Sequence, residues 1–414
     1  MFKILQIALR NLARYKRRSF LTGLLIALGV AAVMIFGSLS GSFKQLMIGE
    51  ITDSMLGHVQ VHRKGYVASI ENLPLDRNMP PRAYERLTGI LDKNMDIAAY
   101  SPRLKLGAML SNYETSTSIR LNGVEPEKEA VVVPALVNRI LDGKPDGVFL
   151  QRGEILIPEL LAKGMQIKTG DTVVLIANNK DGSVNGINVK VAGVVAGVTG
   201  PGGRDGYMHL QDAADLLRMT VPEISEVALR LKGFDRLKEA AGRLEEQLQA
   251  LKSQQGQAMF EIHTWDQLSP FANIANLIDL MSLFIKAILV AVVLISILNI
   301  MMMSVYERVR EIGTIAAIGT PPAKILYLFL TEGLALGLIG SMTGAAIGSV
   351  VIWMLSLSGL EVTFGRGVVH LAPAVQFGQI GLAGLIVLVI SALASLQPAA
   401  KASRLEPVEA LRHV

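Results

Sequence analysis

The strongest constraint on this chain is where its charges are missing. Residues 19–43, 287–306, 333–360 and 371–400 contain no Asp, Glu, Lys or Arg. A run of about 20 apolar residues crosses a bilayer as a helix, because a helix satisfies its backbone hydrogen bonds within itself. The first run is also much longer than the roughly 7–15-residue apolar core of a cleaved signal peptide. One run, a long polar stretch and then three runs predict a membrane protein. It has four transmembrane α-helices in a 1+3 order, with a large α+β extracytoplasmic domain between helices 1 and 2.

Composition agrees with this reading. The 414 residues are 51% hydrophobic and only 18% charged, whereas soluble domains run closer to a quarter charged. The net charge is +5, but the basic residues sit at the ends of the apolar runs, so no nucleic-acid partner is expected. There is no cysteine, which excludes disulfides and Cys-based metal sites.

In chain order, residues 1–18 read as an interfacial helix. Phe2, Leu5, Leu9 and Leu12 form one stripe; Lys3, Arg10, Arg14 and Arg17 form another, with the basic side toward lipid headgroups. Transmembrane helices are predicted at 19–43, 276–306, 325–360 and 371–400, with a tail at 401–414. Residues 44–270 form the polar domain. Strand-like alternation at 57–63, 98–110 and 117–123 and a helix at 81–92 recur later as a strand at 225–231, a helix at 235–255 and a strand at 258–263. These flank a β-rich subdomain inserted at about 125–217.

Short basic flanks set the orientation. Six Lys/Arg residues precede the first span; Arg308, Arg310 and Lys324 follow the second; Lys401, Arg404 and Arg412 follow the fourth. The opposite short loop has only Arg366. Both termini and the segment 307–324 are therefore expected in the cytoplasm, and the large domain outside.

That segment is the candidate site. Wedged between two spans, it lies at the membrane surface, where a soluble motor can reach it. Its candidate residues are Glu307, Arg308, Arg310, Glu311, Ile312, Gly313, Ala316 and Gly319. Two further features lie within the spans. Asp279 and Lys286 share a helix face about 10 Å apart along the axis, either at the outer interface with the lysine snorkelling or at the mouth of a substrate path. Gly340, Gly344 and Gly348 make a flat stripe for close helix packing, within the bundle or in a dimer.

Catalytic signatures are missing from this sequence. No GxxxxGK[ST] occurs, so ATP binding by a P-loop is not expected. Gly200 to Gly203 lack the Lys and the following helix, and read as a flexible hairpin tip. His58 and His62, about 13 Å apart along a strand, read as surface or structural rather than as metal ligands.

The motifs REIGTIAAIGTPPAKILYLFLTEG (310–333) and QPAAKASRLEPVEALR (397–412) resemble the cytoplasmic signatures of FtsX-like ABC permeases. The opening ALRNLARYKRRSFLTGLLIALGVA (8–31) and GEILIPELLAKGMQIKTGDTVVL (153–175) are similar to the first span and outer-domain insertion of that family. GHVQVHRKGY and YMHLQDAADLLRM look most like its lipoprotein-releasing LolC/LolE branch. The chain departs from the pattern at Pro158, which ELLA follows where GxxLA is usual, and in its own hairpin GVTGPGGRDG.

The resemblance implies that 307–324 is a coupling helix held by a cytoplasmic ATPase dimer. ATP and Mg would be bound by that partner, and no cofactor by this chain, which would be no enzyme itself. It also implies a second permease chain (a copy or a paralogue), a periplasmic lipoprotein carrier or adaptor, and the bacterial inner membrane. Lipoprotein release is the function it points to. The alternatives are a MacB-like mechanotransmission exporter and an FtsX-like regulator of a cell-wall hydrolase.

Overall fold

A computed structural model of the chain describes residues 2–14, 16–143, 148–197, 204–252, 256–364, 367–375, 377–406 and 410. Helix α1 (Phe2–Arg14) precedes α2 (Lys16–Ile51), which ends in a π turn at Thr52–Leu56. Next come β1 (Val59–Arg63), α3 (Pro81–Leu91), β2 (Ile97–Ser111), β3 (Ser116–Val124), α4 (Pro126–Val132) and α5 (Ala135–Asn138). Then follow β4 (Ile140–Asp142), β5 (Glu154–Pro158), α6 (Glu159–Gly164), β6 (Thr172–Asn178), β7 (Val184–Val195), β8 (Asp205–His209) and α7 (Leu210–Leu216). The domain closes with β9 (Glu226–Leu231), α8 (Leu237–Gln249), β10 (Phe260–Thr264) and α9 (Trp265–Leu268). The remainder is α10 (Phe271–Glu307), α11 (Val309–Ala317), α12 (Pro322–Leu357), the paired strands β11 (Glu361–Phe364) and β12 (Gly367–His370), and α13 (Phe377–Ser403).

The chain divides into two compact units, one of Met1–Leu46, Ala275–Thr363 and Val368–Val414, the other of Met47–Ile274 with Phe364–Gly367. Among the described residues, four helices are long and apolar enough to cross a membrane: Ser19–Leu56, α10, α12 and Ile380–Ser403. The first three overrun their uncharged stretches, since charge marks where water begins, not where a helix stops. Helix α2 continues past Lys44 until the π turn meets Gly57, whose φ of 73° a side chain disfavours. Helix α10 starts directly after Pro270.

The fourth span is shorter than its uncharged run. Residues 371–375 are apolar yet not helical, and α13 begins only at Phe377. Pro373 disfavours helical geometry at Ala372. The carbonyls left open find donors on α2: Ser38 Oγ donates to Ala374 O at 3.0 Å and Ser42 Oγ to Ala372 O at 3.4 Å.

The α12 glycines let three helices close on one another. A methyl group at Gly340 would lie 2.7 Å from the Ile26 side chain, and one at Gly344 only 2.5 Å from the Ala27 carbonyl oxygen. Gly348 faces Ala31 and Met34 at 3.3–3.4 Å, so this stripe packs within the chain against α2. Gly333 and Gly337, about two turns and one turn before Gly340, face Ser395 and Ser391 of α13 instead. Asp279 and Lys286 separate. Asp279 is ion-paired with Lys44 of α2, and just beneath that pair Ser40 and Ser282 share a 2.6 Å hydrogen bond. Lys286 lines an apolar crevice of about 70 Å³ with Val30, Val293 and Val387.

The second unit is built on one ten-stranded sheet in the order β10-β1-β9-β2-β3-β8-β5-β7-β4, with β6 bridging β2 and β7. The bridge closes a ring, β2-β3-β8-β5-β7-β6, because β2 is 15 residues long. Its first half pairs with β9 (Tyr100 with Leu229) and its end with β6 (Leu110 with Leu175). The stretch 125–217 therefore has no sheet of its own; its strands complete one that β2 and β3 begin.

An ionic cluster is buried where β1, β2, β9 and α4 meet. Arg103 binds Glu129 at 2.7 Å and Glu226 at 3.0 Å, and Lys105 reaches Glu226 at 2.8 Å. Burial alone would raise the Glu226 carboxyl, but Lys105, His62 and Arg103 hold it well below the usual range. His62 is itself buried beside Glu226, stacked on Tyr66 at 5.4 Å. His58 is also buried rather than on the surface. Its Nδ1 accepts the Leu231 N–H at 3.1 Å, and burial, then Arg230, lower its pKa to about 4. The hairpin tip at 200–203 and Arg366 lie outside the described residues.

Two tests follow from this packing. Gly344→Ala should destabilise the purified chain by about 1–3 kcal/mol through overpacking. Gly23→Ala, with nothing within 4 Å of the added carbon, should leave the thermal midpoint unchanged. The second test concerns pH. With its pKa lowered from 6.5 to about 4, His58 takes up its proton more readily in the unfolded chain. Its stability contribution is full above pH 6.5 and is lost as pH falls toward 4. Melting curves across that window should fall on the order of 2 kcal/mol, and His58→Asn, which keeps an acceptor, should flatten them.

Candidate coupling site

The segment between the second and third spans begins with a break. Arg308 (φ −112°, ψ 16°) interrupts the helical path and becomes the N-cap of α11. The helix ends nine residues later in a Schellman motif. Gly319 N–H donates to Ala316 O at 2.9 Å, Thr320 N–H to Ile315 O at 3.3 Å, and Gly319 holds φ 95°. Pro321 and Pro322 then start α12, proline being suited to the first helical turn because its missing N–H is not needed there. Of the predicted segment 307–324, only Val309–Ala317 forms α11; the rest is the Arg308 break, the turn, and the start of α12.

The inward face of α11 is tied to the chain itself. Arg308 is 5% exposed and Glu332 4%. Arg308 Nη1 donates to Glu332 Oε2 at 3.2 Å, Nε donates to Glu311 Oε2 at 3.0 Å, and the guanidinium lies 5.6 Å over the Phe329 ring. Glu311 also meets Arg14 at 3.5 Å, so one run of alternating charge links α1, α11 and α12. Glu332 lies eleven residues into α12, buried and paired. Arg308 faces inward rather than out toward a partner.

Ile312 and Gly313 lie on the same inward face. Ile312 joins a core cluster with Leu12, Val305, Ile325 and Phe329. A methyl group at Gly313 would come 2.5 Å from Ala410 Cβ, so the close approach that this glycine allows is to the chain's own tail. Lys401 of α13 bonds the Tyr306 hydroxyl and sits 4.7 Å over its ring. The outward face holds Glu307, Arg310, Thr314, Ile315 and Ala317, with Ala316 half-buried. At its tip Ile318 is 81% exposed. Ile315 and Ile318 were not singled out from sequence, because an isoleucine in an amphipathic helix reads as core. The tail contact was missed too, since no local pattern pairs residue 313 with residue 410.

Among the described residues, no group of three His, Asp or Glu side chains gathers as a metal site. What the arrangement offers is mechanical: a short rigid helix, clamped at its inward face to α1, α12 and the tail, carrying a polar and apolar outer face.

Family comparisons match both parts of the chain. The family described as MacB-like periplasmic core domain matches residues 19–247, and the FtsX-like permease C-terminal family matches residues 283–407. The chain belongs to the MacB-like, FtsX-like ABC permeases. Its coarse role follows: it is an ABC transporter permease of the LolC/MacB/FtsX type, a class that works with ATPases. The lipoprotein-releasing system transmembrane protein LolC of Neisseria meningitidis is 26% identical over 98% of both chains. The uncharacterized ABC transporter permease YknZ of Bacillus subtilis is also 26% identical, over 99% of this chain and 98% of that one. The pyoverdine export ATP-binding/permease protein PvdT of Pseudomonas putida is 31% identical over 55% of this chain and 34% of its own length.

The buried pair gives a direct test. Arg308→Gln or Glu332→Gln each strands the other charge, and should destabilise the permease by about 3–5 kcal/mol. Arg310→Gln on the outer face should cost no more than about 1 kcal/mol. Thermal unfolding in detergent reads the difference, and the swap Arg308→Glu with Glu332→Arg should recover part of the loss.

Proposed function

We propose that this chain is the permease subunit that passes motion from a separate cytoplasmic ATPase dimer to a periplasmic domain, and that its work is lipoprotein release from the bacterial inner membrane. The observation that carries this reading is the end-to-end match to a LolC protein, over 98% of both chains. Matches to PvdT and MacB cover about a third of those chains, whereas the LolC match covers nearly all of both. The exporter reading stays second, because those partial matches reach 31–32% identity.

In this proposal α11 is the coupling helix. Its outer face, with Glu307, Arg310, Ile315 and Ile318, sits in a cleft of the ATPase. Arg308, Glu311, Ile312 and Gly313 transmit rather than touch: through Glu332, Arg14 and Ala410 they make α11 move with α12, α1 and the tail. ATP and Mg belong to the partner. Four spans and one coupling segment per chain call for a second permease chain, a copy or a paralogue. Both termini and α11 lie in the cytoplasm, and Lys286 faces the path by which an anionic amphiphile leaves the membrane.

The reading is tested with the ATPase present. Ile318→Asp should lower co-purification of the ATPase at least tenfold with an unchanged melting temperature. A cysteine at 318 should react with an impermeant reagent only in opened cells, one at 95 in intact spheroplasts. Proteoliposomes of the complex should release an acylated lipoprotein to a soluble carrier on ATP addition. ATP turnover with no release would favour the exporter. Normal ATPase binding by Ile318→Asp would remove α11 from the contact.

A further inference from the structure

Positive charge gathers at one end of the membrane unit with no acid in the same stretch of chain. The first 49 residues hold no Asp or Glu, and six of their Lys and Arg precede residue 19. Helix α1 buries Ala8 and Leu12, and Leu12 joins the core cluster of Ile312 and Phe329. Arg10 and Arg14, one turn apart, are exposed on α1, and the exposed Lys16 and Arg17 open α2. Among the described residues, no carboxylate lies within 4 Å of Arg10, Lys16 or Arg17.

The neighbouring surface indicates what supplies the missing charge. A helix rises about 1.5 Å per residue, so Arg17 lies about 5 Å along α2 from Phe20. Phe20 and Leu21 are large, apolar and exposed. Both belong to the first span, so lipid covers them. The headgroup layer outside the hydrocarbon is about 5–8 Å deep. The cations that open α2 therefore sit in that layer, and a cluster of Lys and Arg at such a place attracts anionic lipid.

One contact of this cluster is poised to be exchanged. Arg14 Nη1 meets Glu311 Oε1 at 3.5 Å, with the two side chains 69% and 40% exposed. A long, exposed ion pair contributes little. Glu311 keeps a partner without it, because its Oε2 holds the nearly buried Arg308 at 3.0 Å. A headgroup phosphate can therefore take Arg14 without stranding a buried charge.

We propose that Arg10, Arg14, Lys16 and Arg17 bind anionic phospholipid headgroups, and that the phosphate competes with Glu311 for Arg14. Headgroup charge then sets how firmly α1 is tied to α11, while Leu12 keeps α1 seated. The proposal goes beyond the transport reading and does not depend on what the chain moves.

The full chain in dodecylmaltoside is titrated with phosphatidylglycerol, and the concentration giving half the rise in thermal midpoint measures affinity. That concentration should be at least fivefold lower than for phosphatidylcholine, and inorganic phosphate over the same range should give no rise. Arg10→Gln with Arg17→Gln should keep the lipid-free midpoint and need at least fivefold more phosphatidylglycerol. A second measurement leaves these cations intact. The chain has no cysteine, so Ala13→Cys and Thr314→Cys, both at exposed positions, carry a pair of spin labels. Their separation in nanodiscs, read by double electron–electron resonance, should lengthen when phosphatidylglycerol replaces phosphatidylcholine. An equal response to both lipids overturns the proposal, as does a label separation that ignores headgroup charge. A rise with inorganic phosphate would make the cluster a free-anion site and overturn it. Unchanged phosphatidylglycerol affinity in the double variant overturns it too, and weaker ATPase capture by that variant would then assign the cations to an acidic protein surface.

Discussion

The membrane unit depends on one buried charge pair. Arg308 and Glu332 are nearly inaccessible to water, and an ion without its partner at such a place is strongly unfavourable. The pair therefore holds α12 and the break before α11 at a fixed spacing. Glu311, shared by Arg308 and Arg14, extends that hold to α1. A force applied to α11 is then borne by α12 and α1 together, not taken up by a slack loop. This is the property a coupling element needs, and it comes from desolvation rather than from the number of contacts.

The glycines of α12 act on the same helix from the other direction. Bilayer hydrocarbon gives no hydrophobic push between helices, so close backbone approach must supply the attraction through packing. Gly340, Gly344 and Gly348 allow it toward α2, and Gly333 and Gly337 toward α13. One helix thus serves two neighbours by switching face along its length. In the other unit β2 has the comparable role: at 15 residues it reaches both β9 and β6, and so turns an open sheet into a ring. The buried cluster around Arg103 pins α4, β2 and β9 where that sharing begins.

Much of the architecture was legible along the chain. The four membrane helices follow from uncharged runs, because backbone in lipid has few options besides a helix. The amphipathic α1 and the glycine stripe are local periodicities, visible without knowing any partner. The segment 307–324 was legible as a charged break between two spans, and less so as a set of contacts. Charged residues there read as exposed, yet Arg308 faces inward, because its partner Glu332 stands 24 positions away.

What the sequence by itself determined is the order of spans, the existence of a separate polar domain, and the short charged segment between the second and third helices. Each depends on the free energy of placing a residue in water or lipid, which acts residue by residue. Only the tertiary structure decided which α11 residues face inward, where Gly313 packs, that residues 371–375 are not helical, and that 125–217 completes a shared ring. Those outcomes depend on pairs distant in sequence, Gly313 with Ala410, Ser38 with Ala374, Leu110 with Leu175. A buried polar group or a bare glycine takes its meaning from whatever the fold brings to it.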